Sequence, residues 1–343
     1  MLNRRQFLAA TPAVLGALAS APRFGHGAES VVPLTPPKVG LSTRTRDIAT
    51  AQPGRLTTRS AKVCKILQVT DLHQFNQAVY VPEGADDLTF ASIRKMVERE
   101  QPDLLVASGD LWHDNPQGRG KKGAERLVKE LSTLGVPWTM CWGNHDLLDN
   151  YQEAHDEFEK AANSVYRAAE THGDCRVEVR AQGTAVESQP VLDLYFLNSG
   201  AENLTLWQVE AFRKMSATVG QQRPAVPALA YFHIPILEYE TKVTPTSFKG
   251  TKYEGVGKGK DDGAAFKVIA APNTVRACFC GHNHTNDYVV TTGSVDLVYG
   301  RSSGYAGYGG DRLRKGGKLV EVDLATGKYT QTTVFPDGGK SPA

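Results

Sequence analysis

The chain has 343 residues, 41% of them apolar and 22% charged, with a formal net charge of +2. That is enough chain for one large α/β domain or two smaller ones around a sizeable core. So small a net charge gives no sign of a nucleic-acid partner or of an anionic membrane surface, and beyond the N-terminal segment no apolar run reaches the roughly eighteen residues of a membrane span.

In chain order, the first segment stands apart. Arg4 and Arg5 precede Phe7, Leu8 and a weakly apolar stretch of Ala, Leu, Val and Gly up to Ala21, a pattern that resembles a twin-arginine export signal. Residues 1–29 are expected to be that signal, with Ala19, Ser20 and Ala21 as a cleavage site despite Pro22; Thr11 and Pro12 argue against a stable span. The expected location is periplasmic or secreted, with the export machinery as a partner and no membrane span after signal removal. Residues 30–60, rich in Pro, Thr and Arg without periodicity, read as a linker or an arm along the surface.

From Val63 the pattern turns into strand, helix, strand. Strands are expected at 63–70, 102–110 and 136–142, helices at 87–100 and 124–134, and a long polar helix at 151–169. Asp86 or Asp87 suits the start of the first helix. Two strands, 176–179 and 191–198, follow without a helix between them. A helix at 206–215, a strand at 227–232, a short helix at 266–271 and strands at 275–280, 295–299 and 318–324 complete the pattern. Early alternation and late hairpin-like strands predict an α/β fold of two packed mixed β-sheets flanked by helices, one domain over 61–335. Cys64, Cys141, Cys175, Cys278 and Cys280 form no paired spacing and are expected as small buried hydrophobes.

Five short motifs fall where these apolar runs stop: Asp71-Leu-His73, Gly109-Asp110, Gly143-Asn144-His145-Asp146, His233, and Gly281-His282-Asn283-His284. Asp, Asn and His are poor strand formers, so their recurrence at strand ends marks an edge where side chains converge. Carboxylate and amide oxygens mixed with imidazoles suit Zn, Fe or Mn better than Ca or Mg. Seven such groups are too many for one ion and sufficient for two that share a carboxylate, an arrangement suited to phosphate-ester hydrolysis.

In this order the motifs resemble the calcineurin-like metallophosphoesterase superfamily, over roughly 63–323. The resemblance implies a four-layer α/β sandwich and a role for each residue. Asp71, His73 and His284 would hold one metal ion and Asn144, His233 and His282 a second, with Asp110 bridging. His145 would face the substrate, stabilising the transition state or protonating the leaving alkoxide, and Asp146 would orient His145 or buttress its loop. The implied cofactors are two divalent or trivalent ions, Fe, Mn or Zn. The implied reaction is hydrolysis of a small phosphate monoester by attack of a metal-bound hydroxide.

Tyr299 to Tyr305, Gly307-Tyr308-Gly309 and the stretch from Gly135 to Thr139 add a resemblance to purple-acid-phosphatase-like proteins of plants and fungi. Two positions depart from true purple enzymes. His73 stands where they have glycine, and His113 where they have a ligating tyrosine, so no charge-transfer colour is expected. Arg301 and Tyr305 either bind substrate phosphate or pack the Gly-rich loop. His113 is either a base behind the ligands or a loop histidine, and His155 and His172 are expected to be solvated. Residues 249–260, rich in Gly and Lys, read as a mobile surface loop, with a substrate-facing lid as the alternative. Two other functions compete: a phosphodiesterase or nucleotide hydrolase on the same site, and a non-catalytic metal-binding protein. The absence of a basic, aromatic-interleaved stripe argues against polynucleotide binding.

Overall fold

The computed structural model of the protein describes residues 38–342 apart from 49, 186, 202 and 245, so the signal-like segment and the start of the arm lie outside the described residues. In chain order the elements are β1 (Gly54–Thr57), β2 (Val63–Val69), α1 (Ala85–Glu100), β3 (Leu104–Ser108), α2 (Arg119–Ser132), β4 (Trp138–Cys141), α3 (Tyr151–Lys160), β5 (Cys175–Arg180), β6 (Leu192–Phe196), α4 (Leu206–Gln222), β7 (Ala228–Tyr231), α5 (Glu238–Thr241), β8 (Phe248–Lys252), α6 (Ala264–Ala270), β9 (Val275–Cys280), β10 (Asn286–Thr292), β11 (Val295–Tyr299), β12 (Gly317–Asp323), β13 (Tyr329–Val334) and β14 (Lys340–Pro342). One sheet orders its eight strands β1-β5-β6-β7-β9-β11-β10-β8, and the other its six as β14-β13-β12-β2-β3-β4. Both are mixed, as expected. No helix among the described residues is long and apolar enough to cross a membrane.

Each sheet has a parallel block: β2, β3 and β4 at one end of the six-stranded sheet, and β6, β7, β9 and β11 in the middle of the eight-stranded one. Parallel neighbours need crossover connections, and helices placed on the outer faces leave both strand faces buried. That is why β3 and β7 are buried along their whole length. Alternation along the strands assigns the two faces. Leu194, Phe196, Tyr231 and Phe279 join Cys64, Ile66, Leu104 and Cys141 of the other sheet in the core between the sheets. Tyr195, Ala230, Cys278 and Cys280 point the other way, onto Phe212 and Met215 of α4. Ile93, Met96 and Val97 of α1 and Leu127 and Leu131 of α2 close the opposite outer face. All five cysteines are buried and unpaired.

Several expectations change. The expected helix 151–169 stops at Lys160; Trp138 N then donates to Asn163 O and Val165 N to Trp138 O, each at 2.9 Å, so the chain runs along the edge of β4 and takes up its open backbone groups. The arm is part of the body: Val39 lies in the first core, and Gly54–Thr57 pairs in parallel with β5. The packed body therefore starts before residue 61, and β14 extends it past 335. His155 and His172 are buried, not solvated. His155 lies between Gly40 O at 2.9 Å and the Tyr166 hydroxyl at 2.8 Å, and His172 Nδ1 accepts from Ser42 N at 3.0 Å. Both anchor the arm. The stretch read as a mobile loop contributes the edge strand β8.

Candidate metal centre

The parallel strands β2, β3 and β4 of one sheet and β7 and β9 of the other all end at the edge that carries the motifs, each handing its polar residues to the same place. The turns that follow are tight. Asp71, His73, Asp110 and His282 all adopt positive φ, between 50° and 77°. Such a conformation costs about 1–3 kcal/mol per residue and persists only where its surroundings hold it. Two glycines are required by close approach. A Cβ on Gly109, itself at φ 92°, would lie 2.4 Å from His233 Nδ1, and one on Gly143 would lie 2.1 Å from Asp110 N.

The side chains converge into two groups, Asp71 with His73 and His284, and Asp110 with His233 and His282, each with ligand atoms within 4.8 Å of one another. Within the first, His73 Nε2 lies 3.0 Å from His284 Nε2, and His284 Nε2 lies 3.4 Å from Asp71 Oδ1. Asp110 Oδ2 reaches both groups, 3.0 Å from His233 Nε2 and 3.5 Å from His73 Nε2. Asp71 Oδ2, Asn144 Oδ1 and His282 Nδ1 are buried with no hydrogen-bond partner. Groups of this kind are normally satisfied, and lone pairs aimed at one another without a hydrogen between them are what a cation needs. The remaining atoms of the ligands are fixed by other bonds. His233 Nδ1 donates to Ser108 O at 2.9 Å, Asp71 Oδ1 accepts from His282 N at 3.0 Å, and Asp110 Oδ1 accepts from His145 N at 2.8 Å.

Electrostatics follows this crowding. Burial alone would raise Asp71 and Asp110, but His284 and His233 respectively outweigh it and hold both carboxyls below the ordinary range. Burial pushes His73 down, and His282 down to about 4. For His233 burial is overcome by Asp110 and Asp71, which raise it to about 9, so a proton sits there that a bound cation would displace.

His145 stands at the rim, its side chain about one-third exposed, with Nδ1 2.8 Å from Asp114 Oδ1. That leaves Nε2 as the free ring nitrogen. His113 stacks on His145 with centroids 4.7 Å apart, and its Nδ1 lies 2.9 Å from His73 Nδ1. His113 therefore packs directly against a ligand histidine and the rim histidine. Asp146 does not orient His145. It is fully buried, with Oδ1 accepting from Leu111 N at 2.6 Å and Trp112 N at 3.2 Å and Oδ2 from Gly143 N at 2.7 Å, so it ties two motif loops together. The carboxylate on His145 is Asp114, whose place beside a histidine 31 residues away has no local sequence signal.

Arg301 is also corrected. It is buried, with Nε 2.8 Å from Asp287 Oδ2 and Nη1 donating to Arg314 O at 3.0 Å, and packs the fold rather than facing the cluster. Tyr305 is half-buried, its amide donating to Thr89 Oγ1 at 2.9 Å, and its side chain lines a neighbouring cavity. Tyr308, from Gly307-Tyr308-Gly309, grips His284, and Glu254 stands behind it. The Tyr308 ring stacks on His284 with centroids 3.9 Å apart, and Tyr308 OH donates to Glu254 Oε2 at 2.9 Å. Glu254 also accepts from Thr285 N at 2.6 Å, and Gly257 N donates to Asn283 Oδ1 at 2.9 Å, so the stretch after β8 is docked beside the histidine motif.

The description "Calcineurin-like phosphoesterase" belongs to the family model that matches residues 64–286. Relatives include "Probable inactive purple acid phosphatase 28" of Arabidopsis thaliana, 28% identical over 306 residues that cover 78% of this chain and 77% of that protein. Phosphatase DCR2 of Saccharomyces cerevisiae is 27% identical over 289 residues, 69% of this chain and 47% of that protein. Among solved structures, Plasmodium GAP50, the anchor in the inner membrane complex, matches with a TM-score of 0.52 at 12% identity over 82% of this chain and 88% of that one, a likeness of fold alone. With two-thirds of its length matched and the motif residues converging at one sheet edge, the chain belongs to the calcineurin-like phosphoesterase family.

Proposed function

We propose that this chain is a phosphatase that holds two metal ions and hydrolyses phosphate monoesters. The observation that carries the reading is the pair of donor clusters joined by Asp110, with three buried donor atoms that no hydrogen bond satisfies. Asp71, His73 and His284 would hold one ion, Asn144, His233 and His282 the other, and Asp110 both; the oxygen and imidazole donors suit Fe, Mn or Zn. Bound ions would neutralise charge on the phosphoryl oxygens and make water a stronger acid. The chain's own part is to orient and to move a proton. Asp114 at Nδ1 holds His145 with Nε2 turned to the substrate, where it gives a proton to the leaving alkoxide oxygen. His113 backs both His145 and His73, and Asp146 fixes the loops that carry Asp110 and Asn144. The twin-arginine pattern supports export of the folded chain, which fractionation of wild type against Arg4→Lys with Arg5→Lys would test.

A second reading, a metal-binding protein without turnover, is favoured by the names of three Arabidopsis relatives, each "probable inactive". Metal analysis joined to assays with p-nitrophenyl phosphate and its bis-ester separates the readings. The expected result is about two equivalents of metal, hydrolysis of the monoester over the bis-ester, and loss of turnover on chelation. Bound metal without hydrolysis of either ester would establish the second reading. Preference for the bis-ester would make the site a phosphodiesterase.

A further inference from the structure

A cavity of about 750 Å³ adjoins the metal-facing edge and shares two residues with its wall. Tyr308, stacked on His284, is one of them. Gly307 is the other: a Cβ there would lie 2.8 Å from His284 Cε1. Tyr308 and Gly307 are thus the wall between this cavity and the His284 imidazole.

The lining has two chemical features. Three tyrosines, Tyr80, Tyr305 and Tyr308, present rings to it, with Tyr80 54% and Tyr308 40% exposed. Three cationic residues, Arg312, Arg314 and Lys315, face one acid, Asp311. Their partners decide how much of that charge is free. Arg314 is paired with Asp337 at 2.6 Å and lies over the Phe335 ring. Lys315 is buried, yet its ammonium donates to neutral acceptors, Ser302 Oγ at 2.9 Å and Tyr308 O at 2.8 Å. Arg312 is exposed and has no ion pair among the described residues. With Arg314 taken up by Asp337, Arg312 and Lys315 face a single acid of the lining, Asp311, which leaves the cavity wall net positive, and the tyrosine that Lys315 fixes is the one against His284.

We infer that this cavity is the subsite for the leaving-group half of the ester, and that it selects phosphate monoesters whose alcohol is a flat ring bearing a second negative charge. The ring would lie against the tyrosines and its anionic substituent would meet Arg312 and Lys315. This inference rests on the proposed phosphatase reading and names the substrate class for it.

The test compares phenyl phosphate with 4-carboxyphenyl phosphate on the metal-loaded protein. Each variant is compared with wild type on the same ester, so the difference in leaving-group reactivity cancels. Arg312→Gln is expected to lower kcat/KM for the carboxylated ester about 5–10-fold more than for phenyl phosphate, as the loss of a charge-assisted contact. Arg312→Glu is expected to widen that gap, and Arg213→Gln, on the remote α4 surface, to open none. Equal losses on both esters, or no loss on either, would overturn the subsite. If wild type hydrolyses neither ester, the phosphatase reading fails by itself, and equilibrium binding of 4-carboxyphenyl phosphate decides the subsite. Weaker binding to Arg312→Gln by about 5–10-fold supports it, and equal binding rejects it.

Discussion

Two of the clusters of buried charge among the described residues are wired in opposite ways. In the inner cluster Asp287 is surrounded by Arg301, Lys318 and Thr333: Arg301 Nε stands 2.8 Å from Oδ2, Thr333 Oγ1 donates to Oδ2 at 2.8 Å, and Lys318 pairs with Oδ1 and donates to Thr333 Oγ1 at 2.9 Å. Burial would raise Asp287, but Lys318 and Arg301 outweigh it and lower the carboxyl instead. At the sheet edge, Asp71, Asp110 and four imidazoles crowd together while Asp71 Oδ2, Asn144 Oδ1 and His282 Nδ1 have no partner. Density of buried polar groups is common to both. What separates a site from an internal brace is whether the groups satisfy one another or leave lone pairs facing a shared space.

The largest effect should come from removing charge at the open cluster. Asp110→Asn is expected to lose metal and fall to background activity, because an amide bridges two cations poorly. The metal-free variant should stay folded but be less stable than metal-free wild type at neutral pH, since His233 holds the Asp110 carboxyl below its ordinary range and that charge favours the fold. A variant that unfolds instead would place Asp110 with the braces. His145→Ala should keep its metal and lose about 10²–10⁴-fold in rate, the range of a positioned proton donor. Asp114→Asn should cost about 10–100-fold, as for a residue that fixes another's tautomer, and should alter the pH profile of kcat while metal content stays the same. Loss of metal in either of these two would show that the rim histidine belongs to the ligand set.

Breaking the closed cluster should do the reverse. Asp287→Ala leaves Arg301 and Lys318 buried without a counter-charge and is expected to destabilise the fold by about 3–5 kcal/mol, read from urea unfolding of metal-free protein. The folded fraction should still bind about two metal ions by the same donor set. Arg301 was one of the two residues expected to meet substrate phosphate, so retained stability with weakened substrate affinity in Arg301→Ala would return it to that role.

The sequence made the open cluster legible and hid the closed one, for a physical reason. Asp71, Asp110, Asn144, His233, His282 and His284 each follow a strand whose apolar run is visible by itself, and parallel strands bring their ends to one edge. The fold class followed from the same runs. Asp114 was missed because its partner His145 is set by the path of two loops, and no periodicity records that. Asp287, Arg301 and Lys318 sit on three separate segments, and only the fold reveals that they neutralise one another. The arm strand Gly54–Thr57 and the edge strand Phe248–Lys252 were missed for a related reason: each is short, polar and Gly-containing, and is a strand only because a neighbour offers backbone to pair with. His155 and His172 read as solvated because the arm that covers them is far away in sequence.

The smallest effect tests the intermediate case, a buried carboxyl with neither a cation nor a full set of donors. Asp174 is buried, its Oδ1 accepting from Asn198 N at 2.8 Å while Oδ2 has no hydrogen-bond partner, and no salt bridge reaches it among the described residues. Burial raises it to about 8, only partly opposed by the Asn198 amide. The sign is then fixed. A carboxyl raised in the folded state favours folding fully below its unfolded pKa of about 4, and that contribution is lost as pH rises towards 8. Asp174→Asn, which keeps an acceptor for Asn198 and never ionises, should match wild type near pH 4 and gain on it steadily to pH 8, by an order-of-magnitude 1–3 kcal/mol. The measurement is urea unfolding of chelated protein across that range. An Asn variant that loses ground to wild type as pH rises would mean that Asp174 is held as an anion, and that a cation or a further donor reaches it when the chain folds.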